Sequence, residues 1–239
     1  MTDAELAYEL AHEAGRQLLA LQQTGRLAGK ELGKEGDRSA NDFLMDMLRR
    51  HRPDDAILCE EEKDNPDRLG RNRVWVVDPL DGTREFGEGR SDWAVHVALA
   101  IDGEAVIGAV ALPGLGLTLS SQNPLPPRPS NQPLKMVVSR TRPAAEAVKV
   151  AGALAAELLP MGSAGAKAMA VVRGEADIYL HTGGQYEWDN CAPAAVALAA
   201  GLHVSRVDGS PMRYNNADPY LPDLLVCRKE LADAVFAAL

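Results

Sequence analysis

The chain has 239 residues, 46% hydrophobic and 25% charged, an ordinary globular composition with enough apolar material for a sizeable core. Its formal net charge of −9 argues against a protein that tracks a nucleic-acid backbone, which needs a basic stripe. An anionic small substrate stays compatible with that charge, because metal ions can supply positive charge locally. Cys59, Cys191 and Cys227 are far apart and form no CxxC pair, so neither a zinc site nor a disulfide framework is indicated, and a reducing cytoplasm is expected. The opening MTDAELAYEL has no basic segment before an apolar run, and charge or proline interrupts every long apolar stretch. Neither a signal peptide nor a membrane span is expected.

Thr2 and Glu5 have capping-box spacing, and Leu6, Leu10, Ala14, Leu18 and Leu21 follow as the apolar stripe of an amphipathic helix. A Gly/Lys-rich stretch covers 25–36, after which a second helix is predicted over 39–50, with Pro53 just beyond it. Short strand-like runs come next. Residues 56–59 end in Glu60, Glu61 and Glu62, and 74–77 end in Asp78. Residues 93–101 and 105–112, joined by Asp102-Gly103, read as a β-hairpin.

The stretch 122–133 reads QNPLPPRPSNQP; five prolines in it exclude helix and inner strand. It is read as a linker between an N-terminal α+β domain, 1–125, and a C-terminal α/β domain, 133–239; a long loop within one domain is the alternative. The second half alternates strand and helix: strand at 135–138, helix at 143–159, short helix at 166–172, strand at 177–180, helix at 192–200, strand at 224–227 and a last helix. The expected class is layered α and β, with the first half more antiparallel.

Carboxylates gather at the ends of the apolar runs, where side chains share one rim of a rigid scaffold. Asp78 and Asp81 flank Pro79, which fixes φ, and precede Gly82, which permits a sharp bend, so a turn is expected to aim both to one side. Clustered carboxylates repel unless a cation sits among them. Hard oxygen donors select Mg²⁺, Mn²⁺ or Ca²⁺ over zinc. Two such ions roughly 3.5–4 Å apart can clamp a phosphoryl group and activate water. A lone DxxD would be read as solvated loop acids; the hydroxyl of Thr83 and the glutamate-ended strand upstream favour a site. His96 lies in an apolar strand pattern and reads as a packed or rim residue rather than a ligand.

These residues resemble a known family. VWVVDPLDGTREF is similar to the DPxDGT signature of the inositol monophosphatase superfamily, and Glu187-Trp188-Asp189-Asn190-Cys191-Ala192-Pro193 to its WDxxAP signature. Leu58-Cys59-Glu60-Glu61 resembles its xGEE segment, with Cys59 where glycine or serine is commoner, and Gly33-Lys34-Glu35-Gly36-Asp37 its early element with a lysine shortly before an aspartate. The resemblance implies a layered αβαβα sugar-phosphatase fold and a phosphoric monoester hydrolase using two or three Mg²⁺, with Mn²⁺ as a substitute. It implies that Glu60, Asp78 and the Leu80 carbonyl hold one metal, and Asp78, Asp81 and Asp189 a second. Asp37 and Thr83 would orient the attacking water, with Glu61 behind them, and the Gly82 and Thr83 amides would meet the phosphate. Lithium sensitivity and a homodimer are implied as well.

The form DGTREF, with Glu85 and Phe86, resembles the CysQ branch, 3′(2′),5′-bisphosphate nucleotidases acting on 3′-phosphoadenosine 5′-phosphate (PAP), and in particular its actinobacterial group. Ser139-Arg140 and GSAGAK, 162–167, resemble two further segments of that branch, though Arg142 stands where histidine is usual. Ser139, Arg140 and Lys167 would serve the second phosphate, with Ser163 a further substrate contact. Tyr186 or Trp188 would stack on adenine, a core or rim aromatic being the alternative. Inositol 1-phosphate or fructose 1,6-bisphosphate is the alternative substrate, and a non-catalytic metal- or nucleotide-binding sensor the alternative of another class. No nucleic-acid polymer or membrane is an expected partner.

Overall fold

The computed structural model describes residues 1–130 and 132–239. Asn131, in the Pro-rich stretch, lies outside the described residues. Helices α1 (Asp3–Gln23) and α2 (Gly29–His51) come first. The Thr2/Glu5 capping box is present, and Leu6, Leu10, Ala14 and Leu18 are buried as their spacing predicts. The first sheet has the order β1-β2-β3-β4-β5, from Ala56–Cys59, Arg73–Asp81, Ala94–Ile101, Glu104–Leu112 and Leu117–Ser120. Strands β1 and β2 run parallel and the rest antiparallel. Asp102 and Gly103 join β3 to β4 with φ of 51° and 78°, the double positive φ of a type I′ turn.

The second sheet has the order β10-β12-β8-β6-β7, from His203–Ser205, Leu224–Cys227, Ile178–His181, Lys135–Ser139 and Glu157–Met161. Two-residue strands β9 (Gln185–Tyr186) and β11 (Tyr220–Leu221) pair separately. Side-chain alternation sorts the apolar residues into three cores. Trp75, Val77, Val95 and Val97 pack outward on α1 and α2. Val74, Val76, Ala98 and Val110 face inward onto α5 (Ala164–Val172) and α6 (Glu187–Ala199). Val137, Tyr179, Leu224 and Val226 of the second sheet meet the same two helices from the other side. Ile178, Leu180, Leu225 and Cys227 cover α4 (Ala145–Ala153) and α7 (Ala232–Ala238). The order helix, sheet, helix, sheet, helix is the αβαβα layering expected from the sequence.

Several boundaries differ. Helix α2 starts at Gly29, inside the stretch read as a Gly/Lys-rich connection. Glycine lowers helix propensity by about 1 kcal/mol per residue, but the bare positions here are what lets the helix dock. A Cβ at Gly33 would lie 2.8 Å from Thr83 Cγ2, and one at Gly36 2.7 Å from Phe86 Cε1. The predicted 143–159 helix stops at Ala153; Ala155 adopts φ 50°, and 157–161 becomes edge strand β7, where Pro160 is tolerated. Strands β5, β9, β10 and β11 were not predicted; they are two to four residues long. Helix α6 begins at Glu187 rather than Ala192, and Pro193 lies inside it.

Candidate active site

The acidic cluster begins with a defect in β2. Residues three apart on a regular strand point to opposite faces, because side chains alternate. Asp78 pairs with His96 and Asp81 with Ala94, so the register slips by one between them. This bulge, not the expected turn, turns Leu80 outward with Trp75 and Val77 and brings Asp78 and Asp81 to the same inner face. Asp189 arrives from the opposite side, in the first turn of α6, where the helix dipole favours a carboxylate. Its Oδ2 accepts from the Tyr186 amide at 2.6 Å. Oxygens of Asp78, Asp81 and Asp189 lie within 4.8 Å of one another, a group that could hold a metal ion.

The electrostatics of the three differ. Asp81 is gripped by the first amides of α5, Ala164 at 3.1 Å and Gly165 at 2.6 Å. Burial pushes its pKa up, but His96 and those bonds outweigh it and hold the group below the usual carboxylate range. Asp78 is fully buried; its Oδ1 accepts from the Leu80 amide at 3.0 Å and its Oδ2 meets no donor. Burial first, then the charges of Glu60, Asp81 and Asp189, raise it well above the usual range. Asp189 is raised to about 6 by burial and the Asp81 charge. Glu60 stands outside the triad, on the flank of Asp78 where β1 runs beside β2. One side of it is exposed, yet desolvation and the Asp189 charge bring it to about 7. A buried carboxylate oxygen with no donor, among oxygen ligands only, fits a hard divalent cation.

Asp37 and Thr83 meet across the α2 contact with the short helix α3 (Thr83–Gly87). Thr83 Oγ1 is 3.2 Å from both Asp37 Oδ1 and the Leu80 carbonyl. Burial and the Glu61 charge raise Asp37 to about 6. Gly82 has φ 89°, and a Cβ there would lie 2.9 Å from Ser163 Cβ and 3.3 Å from Trp93 Cβ. Gly82→Ala is expected to lose about 1–2 kcal/mol from the left-handed backbone alone, with further loss from displacing Ser163. Urea unfolding with an unchanged slope and a lower midpoint checks this.

The structure brings Ser163 and Lys167 onto the cluster and engages both internally. Ser163 Oγ caps α5 through the Ala166 amide at 3.0 Å. Lys167, 5% exposed, donates to the carbonyls of Gly162 and, at 2.7 Å, Ser163. Arg140 joins the two halves, donating at 2.9 Å to both Glu85 and Glu88, while its Nε is buried without a partner. Ser139 Oγ accepts from the Arg142 amide at 3.2 Å. Trp188 stacks on Tyr186 with ring centroids 4.8 Å apart and planes 9° from parallel.

Three comparisons bear on this geometry. The inositol monophosphatase family model matches residues 2–238. The chain belongs to that family. It is similar to the "3'-phosphoadenosine 5'-phosphate phosphatase" of Mycobacterium leprae, 49% identical over 247 residues that cover 97% of this chain and 91% of that one. A protein of the same name from Mycobacterium bovis is 50% identical over 95% of this chain and 89% of its own length. The crystal structure of CysQ from Bacteroides thetaiotaomicron, a bacterial member of the family, superposes with a TM-score of 0.80 at 25% identity, covering 95% of this chain and 97% of that one.

Within this inositol monophosphatase site, sequence reasoning missed the part played by His96. Its Nδ1 is 3.0 Å from the Trp188 carbonyl and its Nε2 3.2 Å from Asp81 Oδ2, a charge contact off the line of a hydrogen bond. Burial lowers its pKa, but Asp81 and the carbonyl outweigh burial and leave it raised. The signal was a lone histidine in an apolar strand; its place across from Asp78 is visible only in the pairing of β2 with β3. Glu187 was also missed. Fully buried, it accepts from the amides of Asn215 at 2.6 Å and Asn216 at 2.8 Å. Arg68 ties the same loop to Asp64, which steadies the start of α6 behind Asp189.

Proposed function

We propose that this family member is a Mg²⁺-dependent phosphomonoesterase that removes the 3′-phosphate of PAP, giving AMP and inorganic phosphate. The acidic triad, together with the donorless oxygen of Asp78, carries the chemistry. Relatives named PAP phosphatases, half identical over nearly the whole chain, support the substrate.

Asp78, with Glu60 and the Leu80 carbonyl, would hold one ion, and Asp78, Asp81 and Asp189 a second. Asp37, Glu61 and Thr83 frame the place of a third. Two or three Mg²⁺ are expected, with Mn²⁺ as a substitute. When bound, such cations neutralise phosphate charge, ease deprotonation of water and stabilise the leaving oxygen.

The chain's own groups do the rest. Thr83 Oγ1, donating to Asp37 Oδ1, keeps its lone pairs for a water proton, and Asp37, at about 6, is suited to receive it near neutral pH. The Gly82 and Thr83 amides orient the phosphate, Ser139, Arg140 and Lys167 serve the 5′-phosphate, and Ser163 is a further substrate contact. Among the described residues no helix is long and apolar enough to cross a membrane. A cytoplasmic homodimer belongs to the same proposal, and light scattering checks the dimer.

Initial rates with PAP, inositol 1-phosphate and fructose 1,6-bisphosphate test the substrate. The highest kcat/KM is expected for PAP; a higher value for either sugar ester contradicts it. No phosphate release from any of the three would favour a non-catalytic binding module.

A further inference from the structure

The chain has three Trp, five Tyr and three Phe. Among the described residues only Tyr186 and Tyr220 of these eleven are exposed; the other nine are partly or wholly buried. Tyr186 keeps 45% of its surface in solvent and Tyr220 47%. The two are direct cross-strand partners in the β9/β11 pair, and their rings meet edge to face at 5.9 Å and 79°. Trp188 stacks on Tyr186 from within, extending the surface inward.

The position of this surface is unusual. The Tyr186 amide donates to Asp189, and the Trp188 carbonyl faces His96. The backbone that carries Tyr186 and Trp188 therefore borders the acidic cluster, and the Tyr186 ring is half exposed to solvent. Its shape is also built. Gly184 adopts φ 81°, and a Cβ there would lie 2.4 Å from the Tyr220 hydroxyl, so the bare backbone lets Tyr220 fold over the loop. A cross-strand aromatic pair stabilises a short two-stranded sheet. That role does not require two half-exposed rings side by side on the strand pair that leads into Asp189.

We infer that Tyr186, with Tyr220 beside it, is the stacking surface for the nucleobase of the substrate, and that Tyr186 is a specificity-determining residue for nucleotide over sugar phosphates. This rests on the PAP reading. A phosphate held at the aspartates leaves the attached nucleoside beside the start of this surface. A planar base gains from ring stacking, whereas an inositol or fructose ring has no π-face to offer.

The test compares PAP with fructose 1,6-bisphosphate in the wild type, Tyr186→Ala, Tyr186→Phe and Tyr220→Ala. Tyr186→Ala is expected to lower the ratio of kcat/KM for PAP to kcat/KM for fructose 1,6-bisphosphate by about tenfold, the size of one base–aromatic contact, chiefly through KM. Tyr186→Phe keeps the ring and is expected to restore the ratio. Tyr220→Ala is expected to lower it less. Calorimetric binding of AMP supplies a readout without turnover, and weakened AMP binding by Tyr186→Ala is expected. If Tyr186→Ala lowers both substrates equally, or leaves the ratio and AMP binding unchanged, the inference is overturned and the ring serves only the fold. If Tyr186→Ala does not fold, an unchanged ratio in Tyr220→Ala overturns it. A wild type that prefers fructose 1,6-bisphosphate overturns the PAP reading itself, a result visible before any variant is made.

Discussion

Asp78→Asn is expected to lower kcat by more than about 100-fold, since groups that merely orient metal ligands already cost about 10–100-fold. Asp78 is the residue shared by both proposed ions, and its Oδ2 has no hydrogen-bond donor to take over. The same substitution is expected to leave the chelator-treated protein at least as stable as the wild type. An asparagine removes a fully buried charge that lies among the charges of Glu60, Asp81 and Asp189. Its Oδ1 can still accept from the Leu80 amide, the contact that shapes the bulge. Loss of activity with unchanged or higher Tm in EDTA is therefore the signature of a site strained for function. Substantial residual turnover in a folded Asp78→Asn would contradict the shared position. Loss of activity with a large fall in Tm would mean that Asp78 serves the fold.

The second large effect is a dependence of stability on pH that Mg²⁺ should remove. Asp37, Glu60 and Asp189 stand at about 6, about 7 and about 6, above ordinary values of 3.8, 4.5 and 3.8. Between about pH 4 and about pH 7 the folded chain thus binds more protons at these groups than the unfolded chain, so stability falls as pH rises. Asp81 has the opposite sign: its pKa is lowered, and its contribution is lost only on acidification below its ordinary value of 3.8. In EDTA, Tm is expected to fall as pH rises from about 5 to about 7.5. Cations displace these protons, so Mg²⁺ should raise Tm more at the higher pH. Melting curves at both pH values, in EDTA and in Mg²⁺, check this. An equal Mg²⁺ shift at both would show that the raised carboxyls are not the metal-binding groups.

How much of this was legible in the sequence depends on what each feature is made of. DPLDGT could be read because proline, glycine, the Thr83 hydroxyl and a glutamate-ended strand upstream set its carboxylates apart from solvated loop acids. The way they converge could not. The slip between Asp78 and Asp81 exists only in pairing with β3, and a strand cannot report its partner's register. The same holds for α2. Its glycines read as a break by propensity, and helix wins because Gly33 and Gly36 allow close contact with Thr83, Leu80 and Phe86. That packing is what carries Asp37 to the Thr83 hydroxyl.

Asp189 was recognised by its motif, but its place in the first turn of α6 was not, because the helix was read from the Ala-rich run 192–200 alone. Pro193 removes the amide that would bond the Asp189 carbonyl four residues back, and the packed helix tolerates it. In the segment that carries Ser163 and Lys167, the first two amides of α5 are taken by Asp81, an anion supplied from within the chain. Nothing local in either segment encodes that pairing.

The central claim, metal-assisted cleavage of a 3′-phosphate, is tested most directly by separating the products formed from PAP by the purified protein in Mg²⁺ and in EDTA. AMP and inorganic phosphate in equal amounts are expected in Mg²⁺, with neither in EDTA. Product formation that EDTA leaves unchanged, or release of the 5′-phosphate in place of the 3′-phosphate, would contradict it.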